Sequence, residues 1–183
     1  MAPRAVDTAA LKALGHPLRQ RILRHLAREG PANSTALGKA LDESTGTLSY
    51  HLRLLQRAGF VEEVPERATG RERWWRGVPT DLRWPAGDDV PEEQRPVLDE
   101  IIRTKAAEDL DLFHRFADAA RRHPAWTKGS RGLLHLTEEG MDRFFEDYIE
   151  LLRRHGHRPE DAPPGSRPVF VRFFTIPADL AED

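Results

Sequence analysis

The chain has no cysteine, which excludes disulfides and thiolate metal sites alike. No apolar run approaches the roughly 20 residues that carry a helix across a bilayer, and Met1 to Ala10 has no basic segment followed by an apolar one. The expected location is therefore the cytoplasm, with no membrane partner. There is no glycine-rich phosphate loop, no HExxH spacing and no nucleophile elbow. The histidines are scattered at His16, His25, His51, His114, His123, His135, His155 and His157. No catalytic set is legible, and the chain reads as non-enzymatic. Lysine is scarce too, with Lys12, Lys39, Lys105 and Lys128 the only ones among 28 basic residues. With plentiful Ala and Pro, that skew matches a GC-rich coding bias, so arginine abundance alone is no sign of nucleic-acid binding. What is left, 183 residues at 39% hydrophobic and 32% charged, is a globular balance with room for one sizeable core or two small ones.

One further absence is local. From Thr45 to Phe60 there is no carboxylate. The stretch Ser44 to Phe60, STGTLSYHLRLLQRAGF, reads as one amphipathic helix: Ser44 or Thr45 can cap it, Leu48, Leu52 and Leu55 recur with Gly59 along one stripe, and Gly59 stops it. At about 100° per residue, Thr47, Ser49, Tyr50, Arg53 and Arg57 fall on the sides or opposite the stripe. That face is small, polar and cationic, suited to approach something negative. His51 sits at the stripe's edge, where packing and a phosphate contact are both open readings.

Charge is unevenly placed. Residues 1–78 hold 13 Lys and Arg against 8 Asp and Glu, a net of +5, while residues 79–183 hold 15 against 22, a net of −7. A polyanion would be met by the first half only. The expected division is a DNA-binding domain over 1–78 and an acidic dimerisation and possible effector region over 79–183.

Along the first half, Thr8 to Gly15 is a short helix pattern, and His16-Pro17 opens the next because proline suits the first helical position. Leu18, Ile22, Leu23 and Leu26 make its buried stripe up to Glu29, and Gly30-Pro31 breaks it. Asn33 or Ser34 caps a shorter helix from about Thr35 to Leu41, and Asp42, Glu43 and Ser44 turn into the helix above. Two short helices across such a turn are the helix-turn-helix geometry, and the second can enter a major groove. Phe60 to Val64 alternates as a strand, Pro65 to Gly70 turns, and Arg71 to Val78 returns as a second strand. This hairpin is a wing with Arg67, Arg71 and Arg73 placed to reach phosphates. Trp74 and Trp75 point to opposite faces, one of them onto the helices.

The runs ALGHPLRQRILRHL and STALGKALDESTGTLSYHLRLLQRAGFVEE, followed by the hairpin GRERWWRGV, together resemble the winged helix-turn-helix domain of the ArsR/SmtB superfamily of bacterial transcription regulators. Leu48, Ser49, His51, Leu52, Leu55, Gly59 and Val61 stand where that family's recognition-helix pattern has them. The resemblance covers about residues 8 to 78. It implies a homodimer that binds double-stranded DNA at an inverted-repeat operator, usually as a repressor released by an effector. The family's cysteine-rich metal site is impossible here. For its carboxylate and imidazole type the nearest candidate is Asp111, His114 and Asp118, for which a solvated face of a charged helix is the favoured reading; no cofactor and no metal are expected.

In the second half, Glu92 to Arg122 reads as one long helical pattern with Val97, Ile101, Ile102, Leu112, Phe113, Phe116 and Ala120 as its apolar positions, of a length that suits dimerisation; from Thr104 to Asp111 large apolar residues thin out, which fits a break in the helix or packing against small residues there. Gly132 to Leu136 reads as a short strand, Glu138 to His155 as a helix capped by Thr137, and Val169 to Ile176 as a final strand. Its many aromatics fit either a core with a dimer interface, which is favoured, or a small-molecule effector pocket. The fold class is thus mainly α with a few short strands. The function expected is sequence-specific transcriptional regulation through Thr45, Thr47, Ser49, Tyr50, His51, Arg53, Arg57, Arg67, Arg71 and Arg73. The alternative is a winged-helix protein-interaction adaptor.

Overall fold

In the computed structural model, residues 3–5, 8–68, 70, 72–79, 81–83 and 91–180 are described. Four helices build the first half: α1 (Thr8–Leu14), α2 (Pro17–Glu29), α3 (Ser34–Leu41) and α4 (Thr45–Arg57). Each begins or ends on a recognisable local device. Pro17 occupies the first helical position of α2, and the His16 imidazole accepts the Leu18 N–H. Asn33 caps α3 by accepting the Ala36 N–H at 2.7 Å, and Ser44 caps α4 by accepting the Thr47 N–H at 3.1 Å. Between α3 and α4 the chain reverses at Asp42, a left-handed residue with φ 55°.

Apolar stripes from these helices meet in one core. Ile22, Leu26, Leu37, Leu48, Leu52 and Leu55 are almost wholly buried there. Closing the core is an antiparallel sheet in the order β2–β4–β3, formed by Ala32–Asn33, Trp74–Gly77 and Val61–Glu63. Val61 lies opposite Gly77 and Glu63 opposite Trp75, so Trp75 faces inward at 2% exposure. The two-residue strand β2 is too short to leave a period in the sequence. The parallel pair of β1 (Pro3–Ala5) with β5 (Asp81–Arg83) was equally hidden, since parallel partners far apart in sequence share no local signal. The result is a mainly helical protein with a winged helix-turn-helix and a further helical region.

The second half departs from its expected elements in two places. The long helical pattern expected over Glu92 to Arg122 is instead a turn of 3₁₀ helix followed by α5 (Arg95–His114) and α6 (Phe116–Arg122). The break falls at Arg115, whose φ −80° and ψ −11° flatten the backbone. Leu98 and Ile101, together with Lys105, Glu108 and Leu112, form the inward side of α5, and Leu98 and Ile101 belong to the main core. Of the positions expected to be apolar and inward, Val97, Ile102, Phe113 and Phe116 are exposed.

The second departure concerns the two strands expected at Gly132 to Leu136 and Val169 to Ile176. Both segments are irregular. A strand needs a ladder partner, and neither segment has one among the described residues. The later segment is held by side chains instead: Phe173 stacks on Tyr148 of α7 (Glu138–His155) at 4.5 Å, and Arg172 meets Asp109 at 2.5 Å.

Two polar links tie α5 to α2, joined by an ion pair within α5. Glu108 pairs with Arg24 at 2.6 Å and with Lys105 at 3.1 Å, and Lys105 reaches Gln20 at 3.2 Å. The two cations hold the Glu108 carboxyl below its ordinary range against the opposing effect of burial. No described helix is long and apolar enough to cross a membrane.

Candidate nucleic-acid interface

The exposed side of α4 is set by its own periodicity. Leu48, Leu52 and Leu55 go to the core, which leaves Thr45, Thr47, Tyr50, Arg53 and Arg57 in solvent and Ser49 half-buried. Tyr50 is 59% exposed, the most exposed large hydrophobic side chain among the described residues of the first half. Neither Arg53 nor Arg57 has an ion-pair partner among the described residues. By contrast Arg21 reaches Glu43 at 3.5 Å and Arg76 reaches Glu62 at 2.7 Å, so these two arginines carry their own counter-charges. The α4 arginines keep their attraction for an outside anion.

His51 takes the packing role. At 7% exposure it is buried, its ring centroid lies 4.5 Å from that of His16, and Tyr50 meets its edge at 5.2 Å. Burial first, then the nearby His16 and Arg19, hold its pKa below the ordinary imidazole value, with Glu43 opposing. A side chain so placed supports the base of α4 from behind.

Beside α4 stands the wing. Arg73 is exposed and pairs with Glu63 at 3.0 Å, while the exposed Arg67 guanidinium lies 5.8 Å from the Trp74 ring centroid. Arg71 lies outside the described residues. Trp74 packs on the opposite side of β4 from Trp75, as alternation along a strand requires, with its indole N–H buried.

Between the start of α3, the middle of α4 and the wing runs a cleft of about 250 Å³, whose wall includes Asn33, Ser34, Ser49, Arg53, Glu72 and Arg73. The Ser34 and Ser49 hydroxyls are 3.2 Å apart, and the Asn33 amide donates to Glu72 at 3.1 Å. Asn33, Ser34 and Glu72 carried no signal of their own in the sequence beyond helix capping, because they come together only when the wing folds back beside α3.

The triplet Asp111, His114 and Asp118 is not gathered into a ligand set. Asp111 is paired with Arg115 at 2.8 Å, Asp118 with Arg122 at 3.0 Å, and the helix breaks between them. Among the described residues no group of three or more His, Asp or Glu is placed to hold a metal ion.

A family model described as a helix-turn-helix domain matches residues 14–64, the span from the end of α1 to the end of the first wing strand. No curated protein matches the chain. Among solved structures, one described as disulfide-formed AbfR aligns over 62% of this chain and 78% of its own, at 20% identity and a TM-score of 0.33. A likeness that loose carries no argument about function.

Proposed function

We propose that the chain is a sequence-specific DNA-binding transcription regulator of the ArsR type. On this reading it is a homodimeric repressor that answers to a non-thiolate effector or small molecule. The observation that carries it is the exposed face of α4: Thr45, Thr47, Tyr50, Arg53 and Arg57 in solvent, no carboxylate among them, arginines without internal partners, and a wing alongside. The helix-turn-helix match over 14–64 supports the same assignment.

On this reading the first three residue types offer hydrogen bonds to base edges or phosphates. Arg53, Arg57 and the wing arginines, Arg67, Arg71 and Arg73, neutralise phosphates. Residues 1–78 do the binding and 79–183 join two copies. Support for the second role comes from the apolar surface. Among the described residues, seventeen large apolar residues after position 96 are exposed, from Val97 to Leu180, and a second copy would cover apolar surface of this kind.

Selection from random duplex DNA at two salt concentrations tests the reading. The expected outcome is an inverted repeat with half-sites about one helical turn apart. Salt-sensitive binding without any enriched motif would refute sequence specificity, and no binding at all would leave the adaptor reading.

A further inference from the structure

The cleft beside α4 supports an inference that rests on the DNA-binding reading and sharpens it. Arg53 of α4 and Glu72 of the wing line the same open space of about 250 Å³. Neither has an ion pair among the described residues. Two opposite charges on one cleft would ordinarily close on each other. Here Glu72 is fastened elsewhere, to the Asn33 amide at 3.1 Å. Asn33 in turn cannot follow it: its Oδ1 holds the Ala36 N–H at 2.7 Å, and its backbone is paired with Trp74 in the sheet. The carboxylate is therefore pinned by Asn33, while Arg53 and the Ser34–Ser49 hydroxyl pair offer donors to the same cleft.

We propose that this cleft receives one backbone phosphate of the bound duplex, held by Arg53 and the Ser34 and Ser49 hydroxyls, and that Glu72 is a fixed counter-charge at its rim that limits how tightly the phosphate is held. Arginine and hydroxyl donors suit a phosphate oxygen. A carboxylate in the same small space repels it, a repulsion that salt screens because Glu72 and Arg53 are both exposed. The effect falls on every sequence equally, so Glu72 restrains the generic grip on DNA and leaves discrimination to the bases.

Glu72→Gln isolates the charge, because the glutamine carbonyl still accepts from Asn33. Binding to a random-sequence duplex is measured across a series of salt concentrations for the parent, Glu72→Gln and Ser34→Ala, with thermal unfolding of each to confirm an unchanged fold. Glu72→Gln is expected to bind about three- to tenfold more tightly at low salt, the gain shrinking as salt rises. Ser34→Ala is expected to bind about threefold more weakly, the loss of one modest hydrogen bond. Affinity and salt slope equal to the parent's for Glu72→Gln, or weaker binding, would overturn the counter-charge. An unaffected Ser34→Ala would place the phosphate elsewhere. A parent that binds no duplex at any salt overturns the DNA-binding reading itself, whereas a parent that binds beside an unresponsive Glu72→Gln overturns this inference alone.

Discussion

His16 and His51 lie with ring centroids 4.5 Å apart, one capping the start of α2 and the other buried on the inner side of α4. Burial first, then the neighbouring His16 and Arg19, make a charge on His51 costly. With the folded pKa of His51 below its ordinary value of 6.5, the unfolded chain binds a proton first as pH falls. Stability from this residue is complete above about pH 6.5 and drains away as pH drops toward the folded pKa. Urea unfolding at a series of pH values is expected to show that loss, at no more than about 1.4 kcal/mol per pH unit for one proton. His51→Leu is expected to flatten the profile in that window, and an unchanged profile would assign the acid sensitivity to other groups.

Arg53→Ala removes a cation that has no partner within the described protein. It is expected to leave thermal unfolding within experimental error, weaken duplex binding, and reduce the slope of log affinity against log salt by about one. Equal slopes for the two proteins would remove Arg53 from the phosphate contacts.

Leu52 of α4 is fully buried in the core. Leu52→Ala is expected to cost about 2–5 kcal/mol, the sum of lost transfer energy and an unfilled cavity. Chemical denaturation gives the figure directly; a loss under 1 kcal/mol would mean that the site collapses around the smaller side chain.

Phe170 and Phe174 are 61% and 80% exposed on an apolar segment that has no ladder partner among the described residues. The double substitution Phe170→Glu, Phe174→Glu places two charges on that surface. On the proposed reading of 79–183 as a dimerisation region, it is expected to weaken self-association at least tenfold in sedimentation velocity, with α4 and its exposed side chains intact. An unaltered dimer would move the interface to the exposed side of α5.

Comparison of particular elements shows what a sequence can disclose. Helix α4 was legible because every signal agreed: a hydroxyl cap at Ser44, an unbroken leucine stripe, and Gly59, whose φ of 70° suits glycine at the exit. The wing was legible from alternation, with its ends trimmed to Val61–Glu63 and Trp74–Gly77. Strand β2 was not, because Ala32 and Asn33 owe their extended pairing to β4 rather than to their own propensity. Leu98 carries a weaker signal in the sequence than Val97 and Ile102, since α5 mixes charge into its buried side through Lys105 and Glu108 and so blurs its period. The two apolar segments near the C-terminus carry strand chemistry without a strand, which is the difference between preference and partner. For the site, the open face of α4 followed from the stripe alone. The cleft did not, because Asn33 and Glu72 are brought together across 39 positions only by the folded wing.

The packing of α5 on α1 also dictates an order of events during synthesis. Leu98 and Ile101 complete the same core as Leu11 and Leu14, nearly ninety positions earlier in the chain. A ribosome adding roughly 5–20 residues each second therefore releases all of α4 and the wing about one to five seconds before the last pieces of their own interior arrive. Over that interval the apolar backs of α1 and α2 stand open, and the growing polypeptide offers them to chaperones or to neighbouring nascent chains until α5 emerges and seals the gap.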